Sequence, residues 1–463
     1  MNMLKGEVTI LEKIGYGLGD TASSMFWKLF GTYLMFFYTD VFGISAAAAG
    51  TMFLITRIWD SFIDPAAGII ADRTRSRWGK FRPYLLWFSV PFAIFGTLVF
   101  YTPGFEGGGK LIWAYVTYGI MMLVYSAINV PYASLLGVMT SDLKTRTALS
   151  SYRMIFAFIG SILALLLIEP LVRITGNGNP QKGWLYATGI LAILACILFL
   201  FTFFSTKERI RPVKESQNSF KDDISDLLHN KAWWILLGAC ITAVIFNSIR
   251  DGAAVYYFKY YVSGDNSPLQ LGSGISATSL YLTIGQAANI AGILLVTPVS
   301  AKIGKKTTFF WATMLAAVLS IAFYFVKSTD FLTMMILQVF ISACAGSIFP
   351  LLWSMYADIA DWSELRTGRR ATGLIFSSSS MSQKFGWAIG GTMTGWILAY
   401  FGFEANTVQD KEVLESIRNM MSMIPAAAAL ISCLFMAFYP LTEKIMGDTE
   451  TKLSLLRNSS KAE

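Results

Sequence analysis

The sequence predicts an all-α integral membrane protein of twelve transmembrane helices, arranged as two six-helix bundles. Three observations predict it. Of the 463 residues, 54% are hydrophobic and only 14% are charged, with a mean hydropathy of +0.53. A soluble domain is about 25% charged, so this chain has too little charge to cover a water-facing surface. Apolar runs of bilayer length, about 20 residues, recur along the chain. One polar stretch, 205–231, parts them into two sets of six, the layout of transporters built from two repeats.

The apolar runs read as 12–40, 46–71, 83–102, 110–138, 149–173 and 183–204, then 232–262, 273–300, 307–326, 331–356, 371–402 and 416–440. The predicted organisation is a first bundle over 1–204, a linker over 205–231, a second bundle over 232–440 and a tail over 441–463. The linker, STKERIRPVKESQNSFKDDISDLLHNK, reads as a solvated connector. A short surface helix is expected around Phe220–Leu228, where Phe220, Ile224, Leu227 and Leu228 share a face.

Charge placement sets orientation. Arg73, Arg75, Arg77, Lys80 and Arg82 follow the second run, and Lys144 and Arg146 the fourth. Lys207, Arg209, Arg211 and Lys214 lie in the linker; Lys302, Lys305, Lys306, Arg366, Arg369, Arg370, Lys444 and Lys452 follow later runs of the same parity. The alternate loops, 102–109, 176–180 and 263–268, are Gly-rich or nearly neutral. The positive-inside rule puts both termini and the linker in the cytoplasm; the expected location is a cell membrane, the bacterial inner membrane.

The net charge of +8 raises nucleic-acid binding, but its confinement to alternate loops excludes that reading. Cys196, Cys240, Cys344 and Cys433 all lie in apolar runs without CxxC spacing, as small buried hydrophobes do. The single histidine, His229, lies in the linker, which leaves no His-based triad or metal centre. GYGLGD at 15–20 has the wrong spacing for a dinucleotide loop and opens an apolar run. An enzyme is therefore not expected, nor a cofactor.

Charged groups inside the membrane are costly and are functional candidates by default. The second run holds Arg57, Asp60 and Asp64, all on one helical face. Two carboxylates one turn apart are stable if they share a proton, hold a cation or pair with Arg57. Such a cluster suits H⁺ or Na⁺; a purely structural ion-pair network is the other reading. The fourth run places Tyr125, Ser126 and Asn129 before Pro131, whose ring frees backbone carbonyls. The first run lines up Asp20, Ser24, Trp27 and Lys28; the seventh holds Asn247, Arg250 and Asp251; the fifth begins with Arg153. The eleventh holds Ser377, Ser378, Ser379, Ser380 and Lys384, the last too deep to snorkel. Trp27, Phe349, Trp353 and Trp387 are candidates to stack on sugar rings.

At these residues the chain resembles the glycoside–pentoside–hexuronide:cation symporters, the melibiose permease group of the major facilitator superfamily. The resemblance rests on YLMFFYTDVFGIS (33–45), RIWDSFIDP (57–65), TRSRWGKFRP (74–83) and YADIADWSELRTGRRATG (356–373). It implies a major facilitator fold and cation-coupled sugar symport by alternating access. By position it implies cation binding at Asp60 and Asp64 with Ser126 and Asn129. It implies solute contacts from Tyr125, Asn129, Arg153, Phe349, Ser379, Ser380 and Lys384, and gating by Arg75, Arg77, Lys80 and Arg82 with Arg57 nearby. Asp20, Ser24, Trp27 and Arg250 join the solute set from their own positions. The melibiose permease has acids where this chain has Ser24 and Asn129, and an amide at Ile63. Fewer oxygen ligands tilt the coupling ion towards H⁺, with Na⁺ at Asp60 and Asp64 as the alternative. Lys28 and Arg250 leave an anionic sugar open. A functional monomer in the lipid bilayer is expected. The competing readings are a transporter of a lipid-like or drug-like solute and a non-transporting sugar sensor.

Overall fold

The computed structural model describes residues 8–140, 143–209, 227–263, 270–271, 275–367 and 372–459. Most of the expected Phe220–Leu228 helix, and Arg369 and Arg370, lie outside these residues.

Helices cover every apolar run read from the sequence. They are α1 (Ile10–Thr32), α2 (Ala46–Arg73), α3 (Arg82–Leu98), α4 (Gly108–Met139), α5 (Leu143–Gly176) and α6 (Pro180–Ser205). Then come α7 (Lys231–Tyr256), α8 (Ala277–Ile303), α9 (Lys305–Tyr324), α10 (Phe331–Thr367) and α11 (Thr372–Tyr400). The last run is split into α12 (Lys411–Met421) and α13 (Met423–Ala437), with Ser422 between them. The tail is itself helical, α14 over Glu443–Ser459. Helix is the economical solution in lipid, because every backbone N–H and C=O is satisfied within the segment. Eight of these segments are long and apolar enough to cross a bilayer among the described residues. The only paired strands described are a two-residue antiparallel pair, Gln270–Leu271 with Ile275–Ser276.

Local chemistry fixes several ends. Thr9 and Glu12 form a capping box at the start of α1, satisfying two orphan N–H groups reciprocally. Asn179 caps α6 ahead of Pro180, the residue suited to the first helical position. Two ends depart from a plain α-helix. The chain after α1 closes in a π-helical turn, Phe37–Phe42. The chain after α7 closes in another, Tyr257–Val262. The sequence reading placed these positions inside uniform helices. The i→i+5 pattern is rare and tends to mark functional positions.

Two compact units result. One contains Met1–Lys214, Ala254–Gln286 and Gly391–Val413; the other contains Glu215–Ala253, Ala287–Gly390 and Leu414–Glu463. In the first, α1 packs closely on α5 because Gly160 has no side chain: a Cβ there would lie 2.3 Å from the Thr21 carbonyl oxygen. In the second, Trp233, Leu236, Cys240, Leu352, Met355 and Tyr356 are part of a continuous buried cluster.

Candidate functional site

In the first unit, α2 and α4 bring the intramembrane acid to its partners. Asp60 is 2% exposed and Ser126 is 1% exposed. The Ser126 hydroxyl donates to Asp60 Oδ1 at 2.7 Å. Arg57, one turn earlier, sets Nη1 3.7 Å from Asp60 Oδ2 and stacks its guanidinium over the Trp27 ring at 4.3 Å. Trp27 and Tyr125 face each other with centroids 5.5 Å apart. Arg57 therefore belongs with this acid site, whereas Arg75, Arg77 and Lys80 sit in the loop after α2 and Arg82 opens α3. Asp64 is half-buried one turn further along α2.

Asn129 bonds within the first unit. Its amide donates to the Tyr125 carbonyl at 3.0 Å, and its Oδ1 accepts from the Ser23 hydroxyl at 2.6 Å. The sequence reading chose Ser24 on this helix; it is Ser23 that reaches Asn129, while Ser24 is half-buried beside it. Asp20 and Arg153 form an ion pair of 2.8 Å. Arg153 also lies over the Tyr132 ring at 5.2 Å, and Tyr132 donates to the Tyr16 carbonyl. Two residues assigned separately to the solute thus hold each other.

The second unit carries the remaining candidates. Arg250 is 6% exposed, donates to the Met421 carbonyl and reaches Gln338 Oε1 at 2.9 Å. Phe349 is partly buried against the central cluster. Ser378 accepts from the Trp233 indole at 2.7 Å, Ser379 is fully buried, Ser380 is exposed and Lys384 is half-buried. Trp353 is 37% exposed.

The loop after α2 is held by a residue that sequence reasoning missed. Glu208 accepts three backbone N–H groups, from Lys80 at 2.8 Å, Phe81 at 2.7 Å and Arg82 at 2.9 Å. Arg82 donates to the carbonyls of Trp78 at 3.2 Å and Phe203 at 2.7 Å. Arg75 and Arg77 are exposed; Arg77 lies over Trp78 at 4.2 Å and Lys80 over Phe81 at 5.0 Å. Arg209 pairs with Glu12 at 2.8 Å. A usable signal was present: Glu208 follows α6 as Glu443 follows α13.

At the end of the first unit that holds the two π turns lies a cavity of about 450 Å³, lined in part by Tyr33, Asp40, Glu169, Trp184, Lys259 and Asn406. The Tyr33 hydroxyl donates to Glu169 at 2.8 Å.

Chemically, the Asp60 cluster offers a buried carboxylate, a hydroxyl and a nearby guanidinium in a site flanked by aromatic faces. A protonable acid beside a stacking surface can hold a small cation and a sugar ring next to each other. A family model described as MFS/sugar transport protein matches residues 15–443. An inner membrane symporter of Escherichia coli is 36% identical over 442 residues, 95% of this chain and 94% of that one. An isoprimeverose transporter of Lactiplantibacillus pentosus is 35% identical over 456 residues, 97% and 93% of the two chains. Among solved structures, a nucleoside transporter superposes with a TM-score of 0.68 at 17% identity, covering 94% of this chain and 100% of that one; at that identity the likeness is one of fold.

Proposed function

The chain belongs to the MFS/sugar transport protein family, and from that premise we propose that it is a proton-coupled symporter importing a neutral glycoside. It works as a monomer in the bacterial inner membrane, with twelve spans in two bundles and both termini in the cytoplasm. The observation that carries the reading is Asp60, buried in a membrane helix, bonded to Ser126 and 3.7 Å from Arg57.

Protonation of Asp60, with Asp64 one turn away as its partner acid, removes a negative charge from a site of low dielectric. That neutralisation favours the solute-binding state, and linkage makes the coupling reciprocal. Na⁺ is disfavoured because a hard cation needs several oxygens, and this chain has Ser24 and Asn129 where the melibiose permease has acids. Trp27 and Tyr125 supply a stacking surface for the sugar. Phe349, Ser379, Ser380 and Lys384 add solute contacts from the second half. A neutral solute is favoured because the charge of Arg153 is matched by Asp20. Glu208 keeps the gating loop, with Arg75, Arg77, Lys80 and Arg82, in one shape.

Uptake of radiolabelled glycosides, pentosides and uronides into proteoliposomes tests this, with proton and sodium gradients imposed separately. Accumulation of a neutral glycoside driven by the proton gradient alone is expected. Sodium-driven accumulation overturns the choice of ion, and absence of gradient-driven uptake of any sugar overturns the solute.

A further inference from the structure

We propose that Asp40, Lys259 and Asn406 form a latch that holds the protein closed on the membrane face opposite its N-terminus. Lys259 Nζ lies 2.7 Å from Asp40 Oδ1 and 2.7 Å from Asn406 Oδ1. The Tyr260 hydroxyl donates to the same Asp40 oxygen. Asn406 returns its amide to the Asp40 carbonyl at 2.8 Å, and its backbone N–H donates to the Tyr260 hydroxyl at 2.9 Å. One turn away, Thr39 and Tyr256 hydroxyls meet at 2.8 Å. The three latch residues come from the ends of α1 and α7 and from the connection between α11 and α12, so the node ties distant parts of the chain together.

Four features mark this as a switchable contact rather than ordinary packing. The Asp40 side chain is 1% exposed and that of Lys259 is 11% exposed, and charges so placed are retained at a cost in desolvation. Both charges sit in π-helical turns, Phe37–Phe42 and Tyr257–Val262, at corresponding ends of the first helix of each half. Asn406 holds a left-handed φ of 61° while making its three contacts. An aromatic collar of Phe36, Tyr256, Tyr260 and Phe403 surrounds Lys259. When the latch opens, each charge returns to water, so the closed and open states differ by a few replaceable hydrogen bonds. That is the small gap a bistable gate needs. The proposal rests on the alternating-access reading, but its test needs no solute and stands or falls independently of which sugar is carried.

The test is a spin-label distance distribution between the Glu106→Cys and Val408→Cys sites. Both positions are exposed, and the four native cysteines are replaced by alanine. Lys259→Met is expected to enlarge the long-distance population by at least about twofold; a smaller rise overturns the latch. Lys259→Arg keeps the charge and should stay within that factor of the parent. If it opens the protein as widely as Lys259→Met, the ion pair is not the holding element. Should Lys259→Met fail to reach the membrane, Asn406→Ala carries the same threshold with every charge intact.

Discussion

Gly79 and Gly304 occupy the same place in the two halves of the chain. Each precedes a lysine, and their φ angles are +112° and +86°. A Cβ on Gly79 would fall 2.5 Å from the Glu208 carboxyl carbon, and one on Gly304 would fall 2.7 Å from Glu443 Cγ. Each glutamate then accepts backbone N–H groups just beyond its glycine, Glu443 from Lys305 at 2.7 Å and Glu208 from Lys80, Phe81 and Arg82. The same clamp is built twice from the same parts.

Gly79→Ala and Gly304→Ala should therefore each destabilise the protein by about 1–3 kcal/mol, the size of one strained backbone position. Thermal unfolding in detergent checks this. Variants that melt with the parent would remove the steric argument.

Glu208→Gln keeps the size of the side chain but leaves one acceptor oxygen for three N–H groups. A loss of about 1–3 kcal/mol is expected from the donors left unsatisfied. Proteolysis of the loop after α2 should also quicken, and equal cleavage rates for the two proteins would count against the clamp.

Asp60→Asn should abolish uphill solute accumulation while downhill exchange survives. Ser126→Ala, which removes the hydrogen bond to Asp60 but keeps the acid, should retain accumulation. The measurement is uptake and counterflow in proteoliposomes. Full concentrative uptake by Asp60→Asn would falsify the coupling role.

Arg153→Met leaves Asp20 without its ion-pair partner. The expected loss is about 2 kcal/mol, below the roughly 3–5 kcal/mol of a fully buried pair, because the Arg153 side chain is 32% exposed. The double variant Asp20→Asn/Arg153→Met should recover part of the loss in thermal melts. Additive losses would show that the two residues act separately.

The sequence was most legible where one physical rule dominates. Apolar length located the helices, since lipid leaves few alternatives. The cost of intramembrane charge pointed to Asp60; that Ser126 belongs with it came from the family resemblance, not from spacing. Legibility failed where the answer depends on how helices rotate against each other. Ser23 and Ser24 are adjacent and chemically identical; only the packing of α1 on α4 decides which meets Asn129. The Asp20–Arg153 pair joins residues 133 positions apart, and nothing local announces it. The π turns escaped because hydrophobic periodicity is blind to one extra residue per turn. Glu208 looked like one more linker charge, because a carboxylate serving backbone N–H groups leaves no compositional trace.

A π turn is, in effect, a single inserted residue that the helix has absorbed. At about 100° of rotation per residue, deleting one residue from Phe37–Phe42 would restore an ordinary helix yet swing Asp40 away from Lys259. Such a lesion would be silent in the hydrophobic pattern, would pass membrane insertion, and would strike only the cycle. Substitutions in the lipid-facing residues of α1 and α7 leave this geometry alone, whereas a change in the residue count of either short turn does not.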